Sequence, residues 1–130
     1  MSNDAPKSPQ KILIVEDDPD ISLALSSILE DAGYVVVTMD GTGDPLPVNV
    51  NDTTSLPDLI LLDMLLSGQD GRELARRWKG QPSTRHIPIV MLSAHPSAAQ
   101  EAQAAGANDF IAKPFEMDDL LAHVRQHLAH

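Results

Sequence analysis

The 130-residue sequence contains no cysteine. That removes disulfide frameworks and thiolate chemistry, and it fits a reducing compartment. Basic residues are scarce: nine Lys and Arg stand against nineteen Asp and Glu, a formal net charge of -10. A nonspecific nucleic-acid or anionic-membrane surface needs clustered Lys and Arg, so neither partner is expected. No apolar run approaches the roughly 20 residues of a membrane span. The opening MSNDAPKSPQ is polar and holds prolines, without the apolar stretch of a signal peptide. A cytoplasmic location is therefore expected. Aromatics make up only 3% and apolar residues 42%, a globular composition, and the length suits one core rather than two. Internal repeats are also lacking.

What is present is an alternation. Residues 1–9 read as a disordered lead-in and 10–130 as one domain. ILIV (12–15) is a continuous apolar run, as in a strand buried on both faces. Asp18 is placed to cap a helix that has Pro19 in its first turn, Ile21, Leu25, Ile28 and Leu29 on one face, and Gly33 as its stop. YVVVT (34–38) is a second strand. The stretch 40–57, with two glycines and three prolines, reads as an extended or irregular connection rather than a helix. DLILLD (58–63) is a third strand, followed by a glycine-bearing loop over 67–71. Leu74, Ala75 and Trp78 then give a helix its buried face, with Arg72, Arg76 and Arg77 outside. Pro82 to His86 reads as linker. IPIVMLSA (87–94) is a fourth strand, 97–105 an Ala-rich helix closed by Gly106, and DFIAKP (109–114) a fifth strand. Met117, Leu120, Leu121, Val124 and Leu128 mark a last amphipathic helix. Apolar strands alternating with helices predict a doubly wound parallel sheet with helices on both faces.

Polar residues fall at particular places in this pattern. Glu16 and Asp17 follow strand one, Asp63 ends strand three, Ser93 strand four and Lys113 strand five. In a parallel sheet these strand ends share one edge, where ligands bind. Three acids, one hydroxyl and one ammonium thus converge. Carboxylates alone would repel one another, but with a hard cation such as Mg²⁺ they form a metal cup. Lys113 and Ser93 suit phosphoryl oxygens, and Asp63 suits nucleophilic attack on phosphorus to give an acyl phosphate. Taken singly, each acid is more economically a loop or cap residue, and Asp18 is read as such a cap. His123 and His127 have a zinc-like spacing of four, but no third ligand is evident, so they are read as surface residues.

Residues 11–129 resemble the receiver domain of bacterial response regulators, of the chemotaxis-regulator type. The resemblance rests on KILIVEDD, on PDLILLD with Gly71 eight residues past the acid, on IPIVMLSA and on AGANDFIAKPF, in that order. It implies a flavodoxin-like five-stranded sheet in the order 2-1-3-4-5. It further implies that a sensor histidine kinase or phosphotransfer protein phosphorylates Asp63. Asp17 would bind Mg²⁺ directly and Glu16 through water, with the Leu65 backbone carbonyl completing the protein ligands. Ser93 and Lys113 would hold the phosphoryl oxygens. Ser93 and Phe110 would form the switch, and Leu65 and His95 would tune dephosphorylation. The family's helix four, strand five and helix five would meet a downstream protein, with homodimerisation through that surface left open. Three departures stand out: Glu16 replaces the commoner aspartate, Ser67 the usual proline, and 41–57 lacks the usual second helix.

The expectation is a stand-alone receiver, a phosphoacceptor that catalyses only its own phosphorylation and dephosphorylation. Two rivals remain. A phosphatase of the haloacid dehalogenase type would need a second acid two residues after the nucleophile, where Leu65 stands. A receiver-fold binding module that works without phosphorylation would have little use for the polar set.

Overall fold

The computed structural model describes residues 10–39, 56–66, 70–95 and 97–128. The expected lead-in over 1–9, residues 40–55 of the stretch expected to be irregular in place of a second helix, and Ser67 lie outside the described residues. The elements run β1 (Lys11–Val15), α1 (Pro19–Asp31), β2 (Val35–Met39), β3 (Leu59–Asp63), α2 (Gly71–Lys79), β4 (Ile89–Ser93), α3 (Ala98–Ala104), β5 (Asp109–Ala112) and α4 (Met117–Leu128). All strand pairs are parallel, in the order β2-β1-β3-β4-β5, the flavodoxin-like doubly wound arrangement.

Period-two alternation sorts the strand residues into two cores. Ile12, Ile14, Leu59, Leu61, Val90, Leu92 and Ile111 face one side, against Leu25 and Leu29 of α1 and Leu120, Val124 and Leu128 of α4. Leu13, Val15, Ile60, Leu62, Ile89 and Met91 face the other, against Leu74, Ala75 and Trp78 of α2 and Ala98 and Ala102 of α3. Every residue of β3 and β4 is buried, which is why these strands read as unbroken apolar runs. Each buried Leu or Ile contributes roughly 1.5–3 kcal/mol of transfer free energy, so the sheet register is firmly set.

The helix boundaries follow local chemistry. The Asp18 carboxylate accepts hydrogen bonds from the backbone N–H groups of Asp20 and Ile21, at 2.9 and 3.3 Å. Gly33, at φ 101°, takes the left-handed conformation just past α1. The 82–86 stretch is more than a linker. Thr84 within it is wholly buried, and its hydroxyl donates to the Trp78 carbonyl at 2.6 Å, tying this turn-rich segment to the end of α2. No helix among the described residues is long and apolar enough to cross a membrane.

Candidate functional site

The carboxyl ends of β1, β3, β4 and β5 deliver the polar set to one edge. Glu16, Asp17 and Asp63 each offer a carboxylate oxygen within 4.8 Å of the others. Glu16 and Asp63 are buried, with 3% and 6% of their surface exposed. Lys113 reaches into this cup from the end of β5: its Nζ lies 2.9 Å from Glu16 Oε1 and 3.4 Å from Asp63 Oδ1. Glu16 Oε2 accepts from the Asp18 N–H at 3.3 Å, and Asp63 Oδ1 from the Leu65 N–H at 3.3 Å.

Burial, then the hydrogen bond and negative charge of Asp63, push the Glu16 carboxyl up from 4.5 to about 7, against the pull of Lys113. Burial works against the charged Lys113 ammonium, but Glu16 and Asp63 more than offset it and raise its pKa. Among the described residues, the Lys113 ammonium therefore meets two buried carboxylates, Glu16 and Asp63, and a proton on Glu16 relieves the surplus negative charge of that group. An all-oxygen donor set with surplus negative charge fits a hard divalent cation, and Mg²⁺ is such an ion.

The loop after Asp63 is closed by the Gly71 N–H, which donates to the Met64 carbonyl at 2.9 Å. A Cβ on Gly71 would collide with the Asp63 backbone carbonyl and crowd Met64 Cα. A glycine here lets the first turn of α2 pass against the acid's own backbone. Asp70 caps that helix and pairs with Arg72, whose guanidinium also reaches Glu101 of α3 at 3.1 Å.

Ser93 is buried at the end of β4, and its hydroxyl oxygen accepts from the His95 N–H at 3.1 Å. Its carbonyl accepts from the Lys113 N–H at 2.8 Å, which links the two residues through the backbone. The His95 ring is exposed and bonded to the Ser97 hydroxyl at 2.9 Å. Leu65 is 63% exposed beside the acid. Phe110 is not in the cup. It pairs in register with Met91, two positions before Ser93, and lies half-buried on a cavity of about 240 Å³ with Ala99, Ala102 and Ala107.

Sequence reasoning missed one cluster. His123 and His127 of α4 both bond to the Asp109 carboxylate of β5. The spacing of the histidines was visible, but nothing in the sequence shows which strand residue a helix face meets.

Residues 12–125 match the family described as the response regulator receiver domain. The phosphate regulon transcriptional regulatory protein PhoB of Rhizobium meliloti is 38% identical over 117 residues, covering 88% of this chain and 50% of that protein. The chain spans between about a quarter and a half of the length of the curated relatives it matches. Among solved structures, the receiver domain of a sensor histidine kinase from Pseudomonas aeruginosa PAO1 superposes with a TM-score of 0.79 at 29% identity, covering 95% of this chain and 100% of that one. That structure has a magnesium ion coordinated in its active site cleft. The chemotaxis response regulator CheY4 of Vibrio cholerae gives a TM-score of 0.77 at 29% identity, over 92% of this chain and 99% of that one.

Proposed function

The chain belongs to the response regulator receiver family of two-component signal transduction, and we propose that residues 10–130 act as one Mg²⁺-dependent phosphoacceptor switch. The observation that carries this reading is the meeting of Glu16, Asp17, Asp63 and Lys113 in one cup. Asp17 and Asp63, with Glu16 through water and the Leu65 carbonyl, would hold the cation. Bound there, Mg²⁺ would screen the acids from an incoming phosphoryl group and balance charge on its oxygens.

Asp63 is the acceptor in this reading. A carboxylate oxygen attacks phosphorus, the bond from phosphorus to the donor imidazole nitrogen breaks, and the electron pair returns to that nitrogen. Lys113 and Ser93 would hold the transferred oxygens. The Ser93 hydroxyl accepts its bond from His95, so its own proton can be donated to a phosphoryl oxygen. A pull on Ser93 would be felt along β4 and at Lys113, whose N–H bonds the Ser93 carbonyl. Phe110, half-buried beside α3, has room to pack further in, and the surface of α3, β5 and α4 would then change its affinity for a downstream protein. Leu65 and His95, both exposed beside the cup, would set water access and hence the lifetime of the phosphoryl group. Leu65 also leaves a dehalogenase-type phosphatase without its second acid.

The donor would be a sensor histidine kinase or a phosphotransfer protein, and the output protein–protein contact or onward relay from the cytoplasm. The test is incubation with Mg²⁺ and acetyl phosphate, followed by intact mass beside an Asp63→Asn control. One added phosphoryl group in the parent alone supports the reading. No addition, from acetyl phosphate or from a phosphorylated histidine kinase, overturns it.

A further inference from the structure

Between Leu74 and Gln100 the chain carries Arg76, Arg77, Lys79 and Arg85 and no Asp or Glu, although it has nineteen acids in all. The fold gathers these cations at one end of a helix. Arg76, Arg77 and Lys79 stand in the last turn of α2, and Arg85 lies in the turn-rich segment after it. Hydrogen bonds fold that segment back on the helix. The Arg85 N–H donates to the Gln81 carbonyl at 2.8 Å, and the Thr84 hydroxyl to the Trp78 carbonyl at 2.6 Å. The Lys79 ammonium donates to the Arg85 carbonyl at 3.2 Å and to the Ile87 carbonyl at 2.9 Å. The Arg85 backbone is thereby held beside the helix end, and Arg76, Arg77 and Arg85 are all exposed there.

From this arrangement we propose that Arg76, Arg77 and Arg85 form a docking surface for a short acidic segment of a partner protein. The negative end of the α2 dipole favours cations in its last turn, which accounts for Arg76, Arg77 and Lys79. It accounts neither for Arg85, beyond the helix, nor for the lack of acids around it. Arg76 pairs with Glu73 at 3.0 Å, but the two side chains are 51% and 66% exposed, and such a surface pair is readily exchanged for a partner's carboxylate. Arg85 makes no ion pair among the described residues. Guanidinium groups engage carboxylates through two parallel N–H bonds, and a backbone already pinned lowers the cost of ordering them.

Position favours a short protein segment over a larger polyanion. The bond from Lys79 to the Ile87 carbonyl sets the patch at the amino end of β4, which runs five residues to Ser93 near the cup, roughly 15 Å. The screening length at physiological salt is about 8 Å, so a short segment on the patch is little affected by the acids at the other edge of the sheet. A nucleic-acid duplex or an anionic membrane extends past the patch and meets the rest of a chain whose net charge is -10. The surface stands apart from the cup and does not depend on the phosphoacceptor reading.

The test uses the full chain and a fluorescein-labelled hexaglutamate peptide, followed by fluorescence anisotropy at low ionic strength. Binding to the parent that weakens as salt is raised supports the surface, and no binding overturns it. Arg76→Ala and Arg85→Ala, combined in one chain and checked for folding by circular dichroism, should weaken binding roughly tenfold or more. Arg125→Ala removes an exposed cation of α4 instead and should leave the affinity near that of the parent. Equal losses in the two proteins would show that the peptide senses net charge alone, which overturns the docking surface. Tighter binding of a DNA duplex, lost in the same double variant, would assign the patch to nucleic acid and overturn it as well.

Discussion

Lys113 Nζ and Glu16 Oε1 lie 2.9 Å apart although 97 residues separate them in the chain. The pair ties the ends of β1 and β5 together across β3 and β4, and it does so inside a cup where Asp63 adds a second buried negative charge. Two buried carboxylates cannot both ionise cheaply next to one ammonium. The fold therefore holds a charge deficit at the place proposed for a cation and a phosphoryl group.

That deficit has a pH signature. Glu16 keeps its proton to about 7 in the folded chain, against its ordinary 4.5. Between those values the folded state binds more protons than the unfolded one, so stability falls as pH rises through this window and levels off above it. The loss attributable to Glu16 is at most about 3 kcal/mol. Glu16→Gln removes the titration. In urea unfolding without divalent ions, the variant should gain on the parent as pH rises from about 5 to about 8. A constant offset between the two proteins would show that Glu16 ionises normally.

Adding Mg²⁺ should relieve the same deficit. The melting temperature of the parent should rise with Mg²⁺ at pH 8 and fall back on chelation, because an ion held in the cup would bind the folded state and not the unfolded one. Asp17→Asn should lose most of this response. An Asp17→Asn protein stabilised by Mg²⁺ as much as the parent would place the ion elsewhere.

Gly71→Ala tests the close approach of α2 to the acid. The obstacle is backbone, the Asp63 carbonyl and Met64 Cα, so no flexible side chain can give way. The expected cost is about 1–3 kcal/mol, the range for overpacking, with the Asp63 loop displaced. Slower phosphoryl uptake should accompany the lower urea midpoint. A variant with parental stability would mean that α2 can back away freely.

Much of this arrangement was legible in the sequence because parallel strands buried on both faces leave continuous apolar runs. Each run here ends beside a polar residue: Val15 before Glu16, Leu62 before Asp63, Leu92 before Ser93. Knowing that such ends share an edge was enough to assemble the cup. Contacts between unlike elements were not legible. The period of α4 put His123 and His127 on one face, but only the docking of that helix brings them to Asp109. Thr84 sits among turn residues that ordinarily mark exposed linker, and burial in such a segment leaves no periodic trace.

Thr84 gives a prediction of its own. Its hydroxyl donates to the Trp78 carbonyl from a wholly buried position, while that carbonyl also accepts from the Gln81 N–H at 3.3 Å. Thr84→Val keeps the shape and removes the donor, but leaves the carbonyl another partner. The cost should therefore stay near that of one ordinary hydrogen bond, about 1 kcal/mol, rather than the full penalty of an orphaned buried group. Thr84→Ser keeps the donor and loses only a methyl group. Equilibrium urea unfolding should show a lower midpoint for Thr84→Val with an unchanged slope. If Thr84→Ser costs more than Thr84→Val, the methyl packing and not the hydrogen bond secures the 82–86 segment to α2.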